Sequence, residues 1–438
     1  MTIAGSERQC DTLVTGGTII TMDAERRIIE DGAVMISGNA IQSIGPADEL
    51  PRDIKASRII DAAGKVVIPG LINSHSHIPM TLFRGLVEDL VLREWLEKVW
   101  HYELSGLSDE SFCAGAKLAF AEMIRSGVTC VHDMYWAYMA IMDVAEGIGF
   151  RLLSGPPITS IGDPDVEQMF GAARAALDRI KNYRFTQPVV QAHSTYTTTP
   201  AMMYRVRELK HEYGVQFTTH AAENQAEVDE VVEAFGRRPV EQLHEYGLLE
   251  PGTVLAHCVK LLDHEIELLS ETTTSVAHCP ESNLKLGSGI ARVADMLAAG
   301  VNVCLGTDGA ASNNDLDLFG EMRTAALLQK GYNENPELLT TTQTLEMATI
   351  NGARAYGMGD LIGSLEAGKR ADIVIVDFDK SHLTPCHDVP AHLVYAVNKA
   401  DVDTVLIDGT VQLEDGELTV LDEDAIKAEV RAIAETFE

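Results

Sequence analysis

The chain has 438 residues, 46% of them hydrophobic, and 66 acidic against 34 basic side chains give a formal charge of −32. That length suits a barrel-sized domain with a second module, and that apolar content supplies a large core and excludes wholesale disorder. The negative balance disfavours nucleic acid and anionic membrane surfaces as partners, because their phosphates would be repelled; otherwise it reads as a solvated surface.

No apolar run reaches the ~18 residues of a membrane helix. Residues 1–14 show no basic stretch followed by an apolar one, so no secretory leader is expected. The seven cysteines, Cys10, Cys113, Cys130, Cys258, Cys279, Cys304 and Cys386, are scattered and form no CxxC pair. They imply a reducing, cytoplasmic setting rather than a disulfide frame or a cysteine zinc site.

Residues 11–65 open with short β-type runs at 13–22, 32–36 and 41–44, separated by turn signals at Gly16, Gly17 and Gly38. From residue 66 the texture changes. Hydrophobic runs follow at 66–77, 128–135, 151–158, 188–194, 215–223, 253–259, 274–282 and 301–310. Amphipathic helical stretches separate most of them, as at 110–127, 166–182, 201–214 and 290–300. This alternation predicts an α/β fold, a (β/α)8 TIM barrel over residues 68–362. The segment 363–370 nearly matches a phosphate-binding loop. Arg370 stands where Ser or Thr is required and a strand follows, so it reads as a turn. Further β-type runs lie at 371–377, 402–407 and 411–413, with a hairpin turn at Asp408 and Gly409 and a terminal helix at 423–437. Residues 1–67 and 363–438 are therefore expected to pair into a small β-sandwich beside the barrel.

Barrels of this kind place their chemistry where strands end. His75 and His77 close the first barrel run. Residues i and i+2 of a strand share a face, so both imidazoles can chelate one ion in the barrel mouth. His220 ends the fifth run and adds a third nitrogen, although alone it reads equally as a rim histidine. Asp308 ends the eighth run, which neighbours the first when the ring closes; an Asx turn is the alternative. Three imidazoles and a carboxylate suit one Zn²⁺ or Fe²⁺ ion with a position left for water. Glu223 follows His220 by three residues. It either faces the next helix dipole or moves protons beside a metal-activated water. His257 ends the sixth run, where it would hydrogen-bond that water or a developing oxyanion; a buried structural histidine is the alternative. His278 has a comparable place on the seventh run and ranks behind it.

Almost end to end, the chain resembles the amidohydrolase superfamily, and within it the methylthioadenosine/S-adenosylhomocysteine deaminases. The likeness is most specific in 69–85 (PGLINSHSHIPMTLFRG), in 88–90 (EDL) with Trp95, in 282–290 (SNLKLGSGI) and in 306–314 (GTDGAASNN). The resemblance implies metal ligands at His75, His77, His220 and Asp308, the last also catalytic. It puts the proton-transferring carboxyl at Glu223 and a water-contacting histidine at His257. It implies a ribose-hydroxyl contact at Glu103, after a one-residue gap, and another substrate contact at His193. Trp95 and Met80 fall at the purine pocket, with a core tryptophan an equal reading of Trp95.

Related barrels with two metals carry a lysine at the end of the fourth strand. Here that stretch, 188–196, reads PVVQAHSTY, so one divalent ion is expected, zinc ahead of iron. The resemblance also implies carboxylate-binding arginines after the third strand, and none stands between 152 and 173. A homocysteine carboxylate would lack its bidentate partner. The expected activity is hydrolytic deamination of an adenosine-type nucleoside (5'-methylthioadenosine, 5'-deoxyadenosine, adenosine or S-adenosylhomocysteine) to the inosine analogue and ammonia. The alternative is an aminohydrolase or chlorohydrolase of another N-heterocycle, such as an s-triazine or pterin. An inactive barrel is set aside because all six site groups are present. The expected partner is a small-molecule substrate, and a homo-oligomer is expected.

Overall fold

Strands buried on both faces form the central ring, as parallel sheets covered by helices require. The computed structural model describes residues 9–50, 54–103 and 107–437; residues 1–8, on which part of the leader reading rests, lie outside them. The ring runs in chain order through Leu71–Ser76, Val128–Asp133, Arg151–Ser154, Thr186–Ser194, Gln216–Ala221, Thr253–His257, Ser275–His278 and Val303–Leu305. Neighbouring strands are parallel throughout. The connecting helices begin on side-chain caps the sequence supplies: Asp165 before Val166–Ile180, Thr199 before Pro200–Tyr213 and Asn224 before Gln225–Phe235.

The ring closes through side chains and loop backbone rather than a ladder. Asn73 Nδ2 donates to Thr307 Oγ1 at 2.7 Å, and Thr307 N donates to Asn73 Oδ1 at 3.0 Å. Asp308 N then donates to the His75 carbonyl at 2.9 Å. Gly306 permits this approach, since a Cβ there would stand 2.8 Å from the His75 nitrogen.

Both chain ends build a second, mixed sheet with Gln9–Ile20 near its middle. That strand pairs antiparallel with Ile28–Ser37 and parallel with Lys55–Asp61 and Lys65–Pro69. Lys65–Pro69 pairs antiparallel with Ile373–Asp377, which joins the two ends. Period-two alternation gives this sheet two jobs. Val67, Ile373 and Ile375 face a core of the sheet's own with Val14, Ile36 and Leu406, whereas Val66, Ile68, Val374 and Val376 join the barrel's core.

The structure corrects several element boundaries. The apolar run 66–77 is two strands in two sheets, Lys65–Pro69 and Leu71–Ser76. The chain changes sheets at Gly70, where a Cβ would meet Thr129 Oγ1 at 2.0 Å. The 67/68 division thus falls inside a strand of the end sheet. The run 151–158 breaks into Arg151–Ser154 and Pro157–Ile158, because Pro156 and Pro157 have no N–H for a ladder. The eighth run keeps only Val303–Leu305 as strand, and the helix expected at 290–300 shortens to Val293–Ala298.

A buried ionic joint fastens the end sheet to the barrel. Arg151 holds Asp372 through two bonds of 2.8 Å and reaches Asp408 at 3.3 Å, with its side chain 9% exposed. Burial opposes the Arg151 charge, but the two carboxylates more than offset it and push the pKa up. Asp408 would keep Arg184 at 2.6 Å, but Arg151→Ala would leave Asp372 buried without its cation, and we expect a loss of about 3–5 kcal/mol in denaturant unfolding. A loss below about 1 kcal/mol, the range of exposed pairs, would contradict this role for the joint.

Candidate active site

At the C-terminal rim of the barrel, side chains from the first, fifth and eighth strands meet. His220 Nε2 lies 3.1 Å from His75 Nε2 and 3.3 Å from His77 Nε2. Asp308 Oδ1 lies 3.2 Å from His77 Nε2 and 3.6 Å from His75 Nε2. His257 Nε2 stands 3.8 Å from Glu223 Oε2, and His257 also groups with His75 and Asp308 at ligand spacing. All six residues are buried.

The surrounding hydrogen bonds decide which atoms are free. His77 Nδ1 is 2.6 Å from the Met134 carbonyl, and His220 Nδ1 is 2.6 Å from the His193 carbonyl. A carbonyl only accepts, so both Nδ1 atoms carry hydrogen, and each ring, when neutral, turns its Nε2 lone pair inward. Asp308 Oδ2 accepts from Ser282 Oγ at 2.6 Å and Ser312 Oγ at 2.8 Å, which leaves Oδ1 for the cluster. Lone pairs about 3 Å apart repel unless positive charge lies among them. One proton can bridge only one of these contacts, whereas a divalent cation satisfies all four groups. Metal–nitrogen bonds of ~2.0–2.1 Å separate neighbouring ligand atoms by roughly 3–3.5 Å, which these spacings match. The donor set therefore fits a divalent metal centre, and the outer hydrogen bonds orient its ligands.

Without a cation, the positive charge the cluster needs falls on His77 beside Asp308. Burial raises Asp308, but the imidazoles of His75 and His77 outweigh it and hold the carboxyl well below its usual range. Burial lowers both histidines; on His77 the Asp308 carboxylate reverses the effect, so His77 rises to about 9 while His75 falls to about 4. Glu223 is pushed up by burial, with His257 pulling the other way.

Strand ends turn sharply to aim these groups. Ala222, His257 and Asp308 have φ of 52°, 75° and 62°, a region that costs non-glycine residues of order 1–3 kcal/mol each. Glu227 restrains the first turn: its carboxylate accepts from Ala222 N at 3.0 Å and Glu223 N at 2.6 Å. His257 is held by its Nδ1, 2.9 Å from Asn283 Oδ1.

The cluster opens into a pocket walled by Trp95, Trp100, Tyr135, Trp136 and Tyr196, with Met80, Glu103 and His193 also on its lining. Trp95, open to two readings in the sequence, lies both on this lining and in the barrel's buried core, and its buried Nε1 has no protein partner. Glu103 accepts from Trp136 Nε1 at 3.1 Å through Oε2, while its buried Oε1 has none. His193 Nδ1 meets Thr197 Oγ1 at 2.9 Å. His278 is buried with neither ring nitrogen bonded and is not among the cavity-lining residues. The sequence reading missed Trp100, Trp136, Glu227 and the roles of Ser282 and Ser312. Glu227 had a local signal, four residues beyond Glu223 on a helix that Asn224 caps; the others depend on contacts between distant segments.

The sequence profile of the Amidohydrolase family matches residues 66–411. A 5-methylthioadenosine/S-adenosylhomocysteine deaminase of Syntrophobacter fumaroxidans is 42% identical over 436 residues, 99% of each chain. A 5'-deoxyadenosine deaminase of Methanosarcina acetivorans is 40% identical over 435 residues, 97% of this chain and 98% of that protein. Among solved structures, a zinc-bound adenosine deaminase from Xanthomonas campestris superposes with a TM-score of 0.95 at 36% identity, covering 98% of both chains.

Glu227→Gln keeps one acceptor for two backbone donors, which leaves an N–H short of a partner. We expect hydrogen exchange at the Ala222 and Glu223 amides to quicken about tenfold or more, with metal content unchanged. Unaltered protection would remove Glu227 from this role.

Proposed function

We propose, for a chain that belongs to the amidohydrolase family, hydrolytic deamination of an adenosine-type nucleoside to its inosine analogue and ammonia. One arrangement carries the reading: a buried carboxyl and a histidine beside a three-imidazole, one-carboxylate cluster, all opening on an aromatic-walled cavity. His75, His77, His220 and Asp308 would hold the ion, for which we propose zinc ahead of iron. When bound, the metal lowers the pKa of water toward ~7 and so supplies a nucleophile near neutral pH.

The chain's own groups handle the rest. The purine lies between the aromatic walls with its amino-bearing carbon toward the cluster. Burial keeps a proton on Glu223 to higher pH than a solvated carboxyl would, so Glu223 can donate to the ring nitrogen as that carbon becomes tetrahedral. Glu223 then carries the second proton of the attacking water to the departing amine. The C–N bond breaks and the ring carbonyl forms, which balances one water consumed against one ammonia released. His257, oriented by Asn283, stabilises charge on the attacking oxygen. The unpartnered Glu103 Oε1 accepts from a ribose hydroxyl, and His193 contacts the sugar side. A reducing cytoplasmic setting belongs to the same reading, supported by seven cysteines that all remain free thiols.

Glu223→Gln keeps the shape but removes the transferable proton. We expect loss of the adenosine ultraviolet band and ammonia release to slow by about 100- to 10,000-fold, with metal retained. A near-unchanged rate would overturn the proton-transfer role. Ammonia release from triazines or pterins but not from purine nucleosides would overturn the substrate assignment.

A further inference from the structure

One wall of the pocket is the helix Leu92–Glu103, which places Leu92, Trp95, Leu96, Trp100 and Glu103 on the lining. Glu103, which accepts from the ribose in the proposed reaction, is its last residue, so the aim of that carboxyl depends on how this end of the helix is held. From inside the pocket, Trp136 Nε1 donates to Glu103 Oε2 at 3.1 Å, and Oε1 has no protein partner.

From outside the pocket, the support comes from a segment distant in sequence. The helix Glu423–Ala434 buries Ile426 and Val430 and is pinned at its start, where Glu423 Oε2 accepts from Arg125 Nε at 2.7 Å. Just beyond its last turn, the Phe437 ring centroid lies 5.8 Å from that of Tyr102 at 61° and 5.5 Å from that of Phe83 at 40°. Phe83 and Tyr102 are 6.5 Å apart, so the three rings form one cluster. Tilted and edge-to-face pairs at centroid distances of ~4.5–7 Å are the arrangements that ring quadrupoles favour.

Both partners of Phe437 adjoin the site. Tyr102 immediately precedes Glu103 and does not line the pocket. Successive side chains of a helix stand roughly 100° apart, so a Tyr102 ring held outside the pocket fixes the bearing of the Glu103 carboxyl inside it. Phe83 is fully buried and ends the short helical segment Ile78–Phe83 that follows His77.

We propose that Phe437 is a positioning residue for nucleoside binding: seated on Phe83 and Tyr102, it fixes the end of the pocket helix and with it the Glu103 carboxyl. The proposal rests on the nucleoside reading above and on Glu103 as acceptor for a ribose hydroxyl, and it adds a residue that lies off the pocket lining.

The test measures kcat/KM of the zinc-loaded enzyme for adenosine and for 2',3'-dideoxyadenosine, which lacks both ribose hydroxyls. In Phe437→Ala the adenosine value should fall about three- to tenfold, mainly through KM, the range of one or two lost aromatic contacts. The dideoxyadenosine value should not change, because Glu103 has no hydroxyl to hold there. Phe437→Tyr, which keeps the ring, should retain the adenosine value. In a Glu103→Ala background, Phe437→Ala should cost nothing further, since effects routed through one group do not add. An equal loss for both nucleosides, or a full loss on top of Glu103→Ala, would make Phe437 a packing residue only. An unaltered adenosine value in Phe437→Ala would remove it from the site altogether. Each of these overturns the proposal while turnover of adenosine by the wild type leaves the nucleoside reading standing. A wild-type enzyme that deaminates neither nucleoside would overturn that reading and this proposal together.

Discussion

Closure of the barrel between its first and last strands is the constraint on which the site depends. His75 and His77 leave one edge of the ring and Asp308 leaves the other, 231 residues or more along the chain. The bond from Asp308 N to the His75 carbonyl and the paired bonds between Asn73 and Thr307 hold those edges in register. Gly306 allows backbone to lie against His75 where any side chain would intrude. The same few contacts therefore close the fold and set the spacing of the cluster's inward-facing atoms.

A buried cluster of three imidazoles and a carboxylate is costly without charge compensation. Its outer layer reduces the freedom of every member. The Met134 and His193 carbonyls set two histidine tautomers, and Ser282 and Ser312 occupy one oxygen of Asp308. Left-handed backbone at Ala222, His257 and Asp308 is tolerated because these bonds and the packed strands behind them over-determine the geometry. Folding thus delivers these side chains already oriented, so that a cation or substrate would need little reorganisation. The end sheet supports this from outside: Val374 and Val376 pack into the barrel's core while Arg151 anchors Asp372.

Much of this was legible because the informative residues sit where a periodic pattern stops. The HxH pair, His220, His257 and Asp308 each terminate an apolar run, and strand ends of a barrel share one rim. The strand Lys55–Asp61 was missed because charged residues interrupt its apolar signal, its exposed positions alternating along the end sheet. The division at Gly70 was hidden for the opposite reason: Val66 through Ile72 is almost continuously apolar, and hydropathy cannot register a passage from one sheet to another. Ser282, Ser312 and the Met134 carbonyl act through tertiary proximity or backbone, for which residue type carries little signal. Trp95 remained open in the sequence because a tryptophan in a helix serves a core or a cavity wall equally well, and in the fold it does both.

The central claim is that three imidazoles and one carboxylate from separated strands grip a single divalent cation. X-ray absorption at the zinc edge, with metal analysis of the same zinc-loaded sample, tests it directly. The account predicts one zinc per chain in a shell of nitrogen and oxygen at about 2.0–2.2 Å. A sulfur shell near 2.3 Å, or stoichiometry that stays well below one ion per chain after loading, would contradict it.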